Sequence, residues 1–162
     1  MYVDPIKTAI HKEYQMANNM TVDLSNQSEK IIFFDGQCNL CSKAVTFVLN
    51  NNKCVSFKFA SLQSNTAACL VPGYATPANS DIYPKSIVLF THGRTLIRSK
   101  AIESILLELG VGYRILGHLA KLIPLFLKEA IYDFIARNRY SWFGANEFCY
   151  MPTESQKMLF LD

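Results

Sequence analysis

Apolar and polar positions follow one another in this chain with periods that change abruptly, and the changes mark the elements. Ile31–Phe34 is a continuous apolar run, the pattern of a strand covered on both faces. After Asp35-Gly36 the period turns helical: Cys41, Ala44, Val45 and Val48 lie at i, i+3, i+4 and i+7, one stripe facing a core. This helix is expected from Leu40 to about Asn50, stopping at Asn50-Asn51-Asn52. Val55, Phe57 and Phe59 then alternate with Ser56 and Lys58, a second strand with one better-buried face. Strand, crossover helix, strand is a βαβ unit, so the two strands are expected to be parallel with a right-handed connection.

Between Ser61 and Pro84 the chain is rich in Pro, Ser, Asn and Thr. A short helix over Ser64–Leu70 and an irregular loop are expected there. Ser86–Phe90 and Arg94–Arg98 read as two short strands around Thr91-His92-Gly93, a hairpin signature. Ile102, Ile105, Leu106 and Leu109 recur at helical spacing, with Ser99 as N-cap and Gly110 closing. Two more helical stripes follow. Ile115, Leu116, Leu119, Leu122 and Ile123 make one; Leu127, Ile131, Phe134 and Ile135 make the next, with Pro124 near its first turn. Both are expected to cover one end or face of the sheet.

The order βαβ then ββα resembles the thioredoxin arrangement. It implies an α/β fold, a four-stranded mixed sheet with helices on both faces and extra C-terminal helices. Residues 1–29 are polar, without a strong period, and read as a mobile or loosely packed extension. Residues 30–162 read as one domain.

Composition narrows the function classes. A length of 162 residues, half of them hydrophobic and 12% aromatic, suits one globular domain. The net charge of +3 is scattered rather than gathered in a basic block, which speaks against nucleic acid as a partner. Residues 1–30 show no secretory signal pattern, and the run Leu122–Leu127 is far short of a membrane span. The cytoplasm is therefore expected, where thiols stay reduced unless they are catalytic.

Against that background Cys38 and Cys41 stand out. An apolar run, a glycine turn and a CxxC opening a helix is the arrangement of thiol–disulfide chemistry. Cys38 falls at the helix tip, where the N-terminus stabilises a thiolate, and is expected to be the accessible nucleophile. Cys41 belongs to the apolar stripe and is expected to be the buried resolving thiol. The alternative, half of a zinc site, lacks a second CxxC or a His pair.

Asp35 has two readings that stay open: relaying the proton or raising the thiol pKa by like charge, or capping the turn. Gly36 is assigned to backbone geometry. Near the end of the last helix, Asn138 falls on the apolar face with Ile131 and Phe134, so it is expected to point inward and fix the following loop. Arg137 and Arg139 flank it, serving either the helix dipole or an anionic partner. Cys54 and Cys69 are assigned to packing; Cys149, after the aromatic-rich loop, reads as a buried small residue or a third redox thiol. No glycine-rich phosphate loop or cofactor motif is present.

The D-G-Q-C-N-L-C element of residues 35–41 and the late A-R-N-R-Y-S-W-F-G stretch resemble the DCC family of thiol–disulfide oxidoreductases. The resemblance runs from about Ile31 to Leu161, through the F-A-S-L-Q-S segment and the closing C-Y-M-P region. It implies Asp35, Cys38 and Cys41 as the signature, and Arg137, Asn138, Arg139 and Tyr140 as a second block. It further implies a thioredoxin-like domain whose substrate carries a disulfide or thiol, reset by an external reductant, with the Cys38–Cys41 pair in place of a cofactor or metal. Pro84 stands near the position of the substrate-pairing proline of thioredoxin-like proteins. The chain departs from thioredoxin itself at Gln37, where thioredoxin has tryptophan, and at Asn39-Leu40, where it has Gly-Pro. A non-catalytic protein-binding module, a structural metal site through the CxxC, and peripheral membrane association through Arg114–Lys128 are the rival readings.

Overall fold

The computed structural model describes residues 29–51, 57–71, 86–145 and 152–161. Strand β1 (Lys30–Phe34) leads into helix α1 (Asn39–Asn51), then β2 (Phe57–Ser61) and the short α2 (Asn65–Leu70). The hairpin β3 (Val88–Thr91) and β4 (Arg94–Ile97) precedes α3 (Arg98–Glu108), α4 (Val111–Leu122) and α5 (Leu125–Phe143), and a 3-10 turn covers Lys157–Leu159. The sheet order is β2-β1-β3-β4. β1 runs parallel to β2 with Ile32 opposite Phe59, and antiparallel to β3 with Ile32 opposite Leu89. This is the thioredoxin-like α/β arrangement expected from the element order.

The apolar run of β1 is explained by its central place. Alternate residues feed two separate cores, one on each face of the sheet. Ile32 and Phe34 pack with Phe57, Phe59, Val45, Val48, Leu89 and Ile105. Ile31 and Phe33 pack with Ala60, Leu62, Ala67 and Val88 on the other face. Each fully buried phenylalanine contributes about 2–3 kcal/mol by removal from water.

The β3–β4 turn is made by His92 (φ 50) and Gly93 (φ 70). A two-residue hairpin loop of this kind needs positive φ at both central positions, which is why the Thr91-His92-Gly93 signature was legible. Ser64 caps α2, accepting a hydrogen bond from the Ala67 amide at 3.1 Å, so the helix starts one residue later than expected. Ser99 does not cap α3. The N-cap is Ile97, without a side-chain bond, and the Ser99 hydroxyl instead donates to Glu129 on α5. Nor does Gly110 close that helix: Leu109 is the C-cap, and Gly110 opens α4.

The C-terminal helices differ from expectation in what they cover. α4 lies on α3, and α5 spans α3 and α1. The α3–α4 crossing is close at Gly117, where an added Cβ would sit 2.8 Å from Leu107 Cδ2. The chain then returns along β2, where the Leu161 amide donates to the Phe59 carbonyl at 3.0 Å and Phe160 stacks on Phe59 with ring centroids 5.4 Å apart.

Candidate functional site

The site forms where β1 ends and α1 begins. The Ser42 amide donates to the Cys38 carbonyl at 2.9 Å, so Cys38 is the residue that opens α1 and Cys41 is third in the helix. Their exposures are the reverse of the expected ones. Cys38 is fully buried, while Cys41 is half-buried. The reason lies in the far end of the chain. Ala145 pairs with Cys38 in an isolated antiparallel bridge, and Asn39 Nδ2 donates to the Phe143 carbonyl at 2.9 Å. The turn into this return strap is Gly144, at φ +77. Helical phase places a residue relative to its own helix and carries no information about a strap arriving from a hundred residues away.

Asp35 is fully buried and accepts from four donors. These are Tyr140 Oη at 2.5 Å, Arg139 Nη2 at 3.1 Å, the Gln37 amide at 3.2 Å and Gln63 Nε2 at 3.3 Å. The Gln37 bond is the contact of a turn-capping Asp35, one of its two open readings, and the ion pair with Arg139 belongs to neither. Gly36 is buried in the same turn.

Arg139 is the inward residue of the late block. Its side chain is 7% exposed, its guanidinium lies 4.8 Å from the Tyr140 ring centroid, and Nη1 reaches Cys41 Sγ at 3.8 Å. Asn138, expected to point inward, instead donates to the Phe134 carbonyl four residues back on its own helix at 2.7 Å. Arg137 is exposed, with Nε donating to the Asp133 carbonyl at 3.3 Å, and takes no part in the site. The cause is one misread face: Leu127, Ile131 and Phe134 look outward, and Arg139, one turn after Ile135, looks with it toward α1 and α3.

These contacts set the protonation of the site. Burial pushes the Cys41 thiol up to about 12, with its hydrogen bond to Cys38 and the Cys38 charge acting the same way and Arg139 opposing. Tyr140 is likewise pushed up to about 12 by burial and by its hydrogen bond to Asp35. For Arg139, burial opposes the charge, but Cys41, Tyr140, Cys38 and Asp35 outweigh it and hold the proton more tightly. Cys41 is thus a neutral thiol donating toward Cys38, with a fixed cation beside both.

An apolar cavity of about 220 Å³ opens beside Cys41, between α1, α3 and α5, walled by Ala44, Val48, Ile105, Tyr132 and Ile135, with Arg139 supplying charge. Among the described residues no three His, Cys, Asp or Glu side chains are placed to hold a metal ion. Pro84, Cys54 and Cys149 lie outside the described residues. Cys69, assigned to packing, is exposed.

Two contributors were not found from the sequence. Gln63 sits inside the F-A-S-L-Q-S segment, so that block held the signal. Tyr132, whose Oη accepts from the Ile87 amide at 3.3 Å, lies at the edge of the apolar stripe of its helix and gave none.

A βαβ unit joined to an antiparallel hairpin, with two close cysteines where β1 meets α1, defines a thioredoxin-like dithiol protein. The family model described as DCC1-like thiol-disulfide oxidoreductase matches residues 32–145, and the chain belongs to that family. It is 33% identical to the uncharacterized protein YuxK of Bacillus subtilis (strain 168) over 132 residues, which is 82% of this chain and 93% of that one. It is 34% identical to the chloroplastic DCC family protein At1g52590 of Arabidopsis thaliana over 119 residues, 74% of this chain and 67% of that one. No solved structure matches it.

Proposed function

We propose that the chain is a thiol–disulfide oxidoreductase in which Cys38 is the nucleophile and Cys41 the resolving thiol. The observation that carries this reading is the placement of Cys38 and Cys41 together at the opening of α1, with Arg139 Nη1 3.8 Å from Cys41 Sγ. The helix N-terminus and the guanidinium both favour negative charge at that point. The Cys38 thiolate attacks one sulfur of a substrate disulfide, the S–S bond breaks, and the second sulfur leaves as a thiolate. Cys41 then gives up its proton and attacks Cys38, releasing the reduced product and leaving a Cys38–Cys41 disulfide. An external thiol or reductase returns two electrons to that disulfide. The Gly144–Ala145 strap lifts from Cys38 for the first attack, and the apolar cavity beside Cys41 receives the substrate's apolar part. A reducing compartment, the cytoplasm, suits the free thiols of Cys38, Cys41 and Cys69.

The burial of Cys38 favours a second reading, a binding module that has kept the fold without catalysis. Titration in glutathione redox buffers, followed by thiol trapping and mass spectrometry, separates the two. A reversible two-electron Cys38–Cys41 couple, abolished in Cys38→Ser and in Cys41→Ser, is expected. No disulfide at any poise would leave only the binding module.

A further inference from the structure

Helices α4 and α5 present their apolar stripes to solvent. At about 100° per residue, Val111, Leu122, Ile115, Leu119 and Leu116 span roughly 140° of α4. None of these five is buried, and Val111 and Leu122 are 75% and 78% exposed. The side of α4 that meets α3 is instead the one with Gly117. On α5 the outward arc carries Leu127, Ile131, Phe134 and Trp142, and Phe126 at its start is 76% exposed. Water-facing leucines scattered singly need no explanation, but exposed apolar arcs on two successive helices, meeting at the Pro124 turn where Leu122, Ile123, Leu125 and Phe126 are all exposed, mark an interaction surface.

Charge says what kind. Residues 109–128 contain no acid, while Arg114, His118 and Lys121 line one border of the α4 arc and are exposed. The carboxylates of α5 are turned the other way: Glu129 and Asp133 both pair with Arg98 on α3. Glu103 of α3 is paired with Lys128. The outward face is therefore apolar with a cationic border, the composition of helices that lie in a membrane interface. A second copy of the chain would bring the same cations and no complementary charge. Among the described residues no helix is long and apolar enough to cross a membrane, so the contact is peripheral.

We infer that the α4–α5 face docks on an anionic lipid bilayer, with Leu122, Leu125 and Phe126 around the Pro124 turn entering the headgroup region and Arg114 and Lys121 meeting lipid phosphates. This inference stands independently of the dithiol chemistry.

The chain's single tryptophan, Trp142, is 53% exposed on this face and reports directly. The full-length protein is mixed with vesicles of phosphatidylcholine alone or with phosphatidylglycerol, and binding is read by co-sedimentation and Trp142 emission. Binding to the anionic vesicles is expected to be at least about tenfold stronger than to neutral ones, with a blue shift of Trp142, and weaker at high salt. The pair Leu122→Asp and Phe126→Asp is expected to abolish binding with circular dichroism unchanged. If that pair misfolds, Arg114→Ser with Lys121→Ser removes two exposed cations, together with one hydrogen bond from Arg114 Nε to the Leu107 carbonyl, and is expected to weaken binding severalfold. No binding, equal binding to neutral vesicles, or binding that the correctly folded variants leave intact would overturn the inference. So would a solution dimer that Leu122→Asp dissociates in the absence of vesicle binding.

Discussion

At the scale of single residues, the Asp35–Arg139 pair is the strongest commitment the molecule makes around its cysteines. Both side chains are buried, so removing one partner strands the other charge at a cost of about 3–5 kcal/mol. Asp35→Asn and Arg139→Gln are each expected to destabilise by that order, and the double variant by clearly less than the sum. Urea unfolding of the four proteins measures the coupling; strict additivity would refute it. The site also sets a pH dependence. Cys41 and Tyr140 titrate at 9.0 and 10.0 when unperturbed and at about 12 in the fold. A raised pKa means the folded state keeps a proton that the unfolded state gives up. Stability is therefore full below pH 9 and falls as pH rises toward 12. Urea midpoints measured across that window are expected to fall less steeply in Cys41→Ala and in Tyr140→Phe.

At the scale of elements, the return strap after α5 controls access to Cys38. It is held by the Cys38–Ala145 bridge and by the Asn39 bond to the Phe143 carbonyl. Asn39→Ala removes the second hold, worth about 1 kcal/mol, without touching either sulfur. Alkylation of Cys38 in the reduced protein is expected to speed up about fivefold, as read by peptide mass spectrometry, while Cys69 reacts quickly and equally in both proteins. An unchanged Cys38 rate would mean that something other than the strap limits access. The same strap explains why the family's two sequence blocks, a hundred residues apart, belong to one site. α5 sends Arg139 and Tyr140 to Asp35 and then folds its own end back over the first cysteine.

At the scale of the whole molecule, the sheet closes its two cores with only Tyr113 of α4 packed against them, and the apolar stripe of α4 and most of that of α5 are left on the outside. Reading such a stripe as a core face is sound only when a neighbour is present to cover it. That single assumption produced the errors at the C-terminal end: helices thought to shield the sheet, Asn138 placed inward, and Arg139 treated as a flanking charge.

The sequence by itself determined the order of the elements, the hairpin, the helix that begins at the CxxC and the family. Each of these is written in short-range periods and in residues, such as His92-Gly93, whose backbone preferences act locally. Only the tertiary structure decided which cysteine is covered, that Asp35 is paired with Arg139, and which way the last two helices face. Those depend on contacts between residues a hundred positions apart, and a helical period fixes the relative angle of side chains on one cylinder without fixing what stands opposite it.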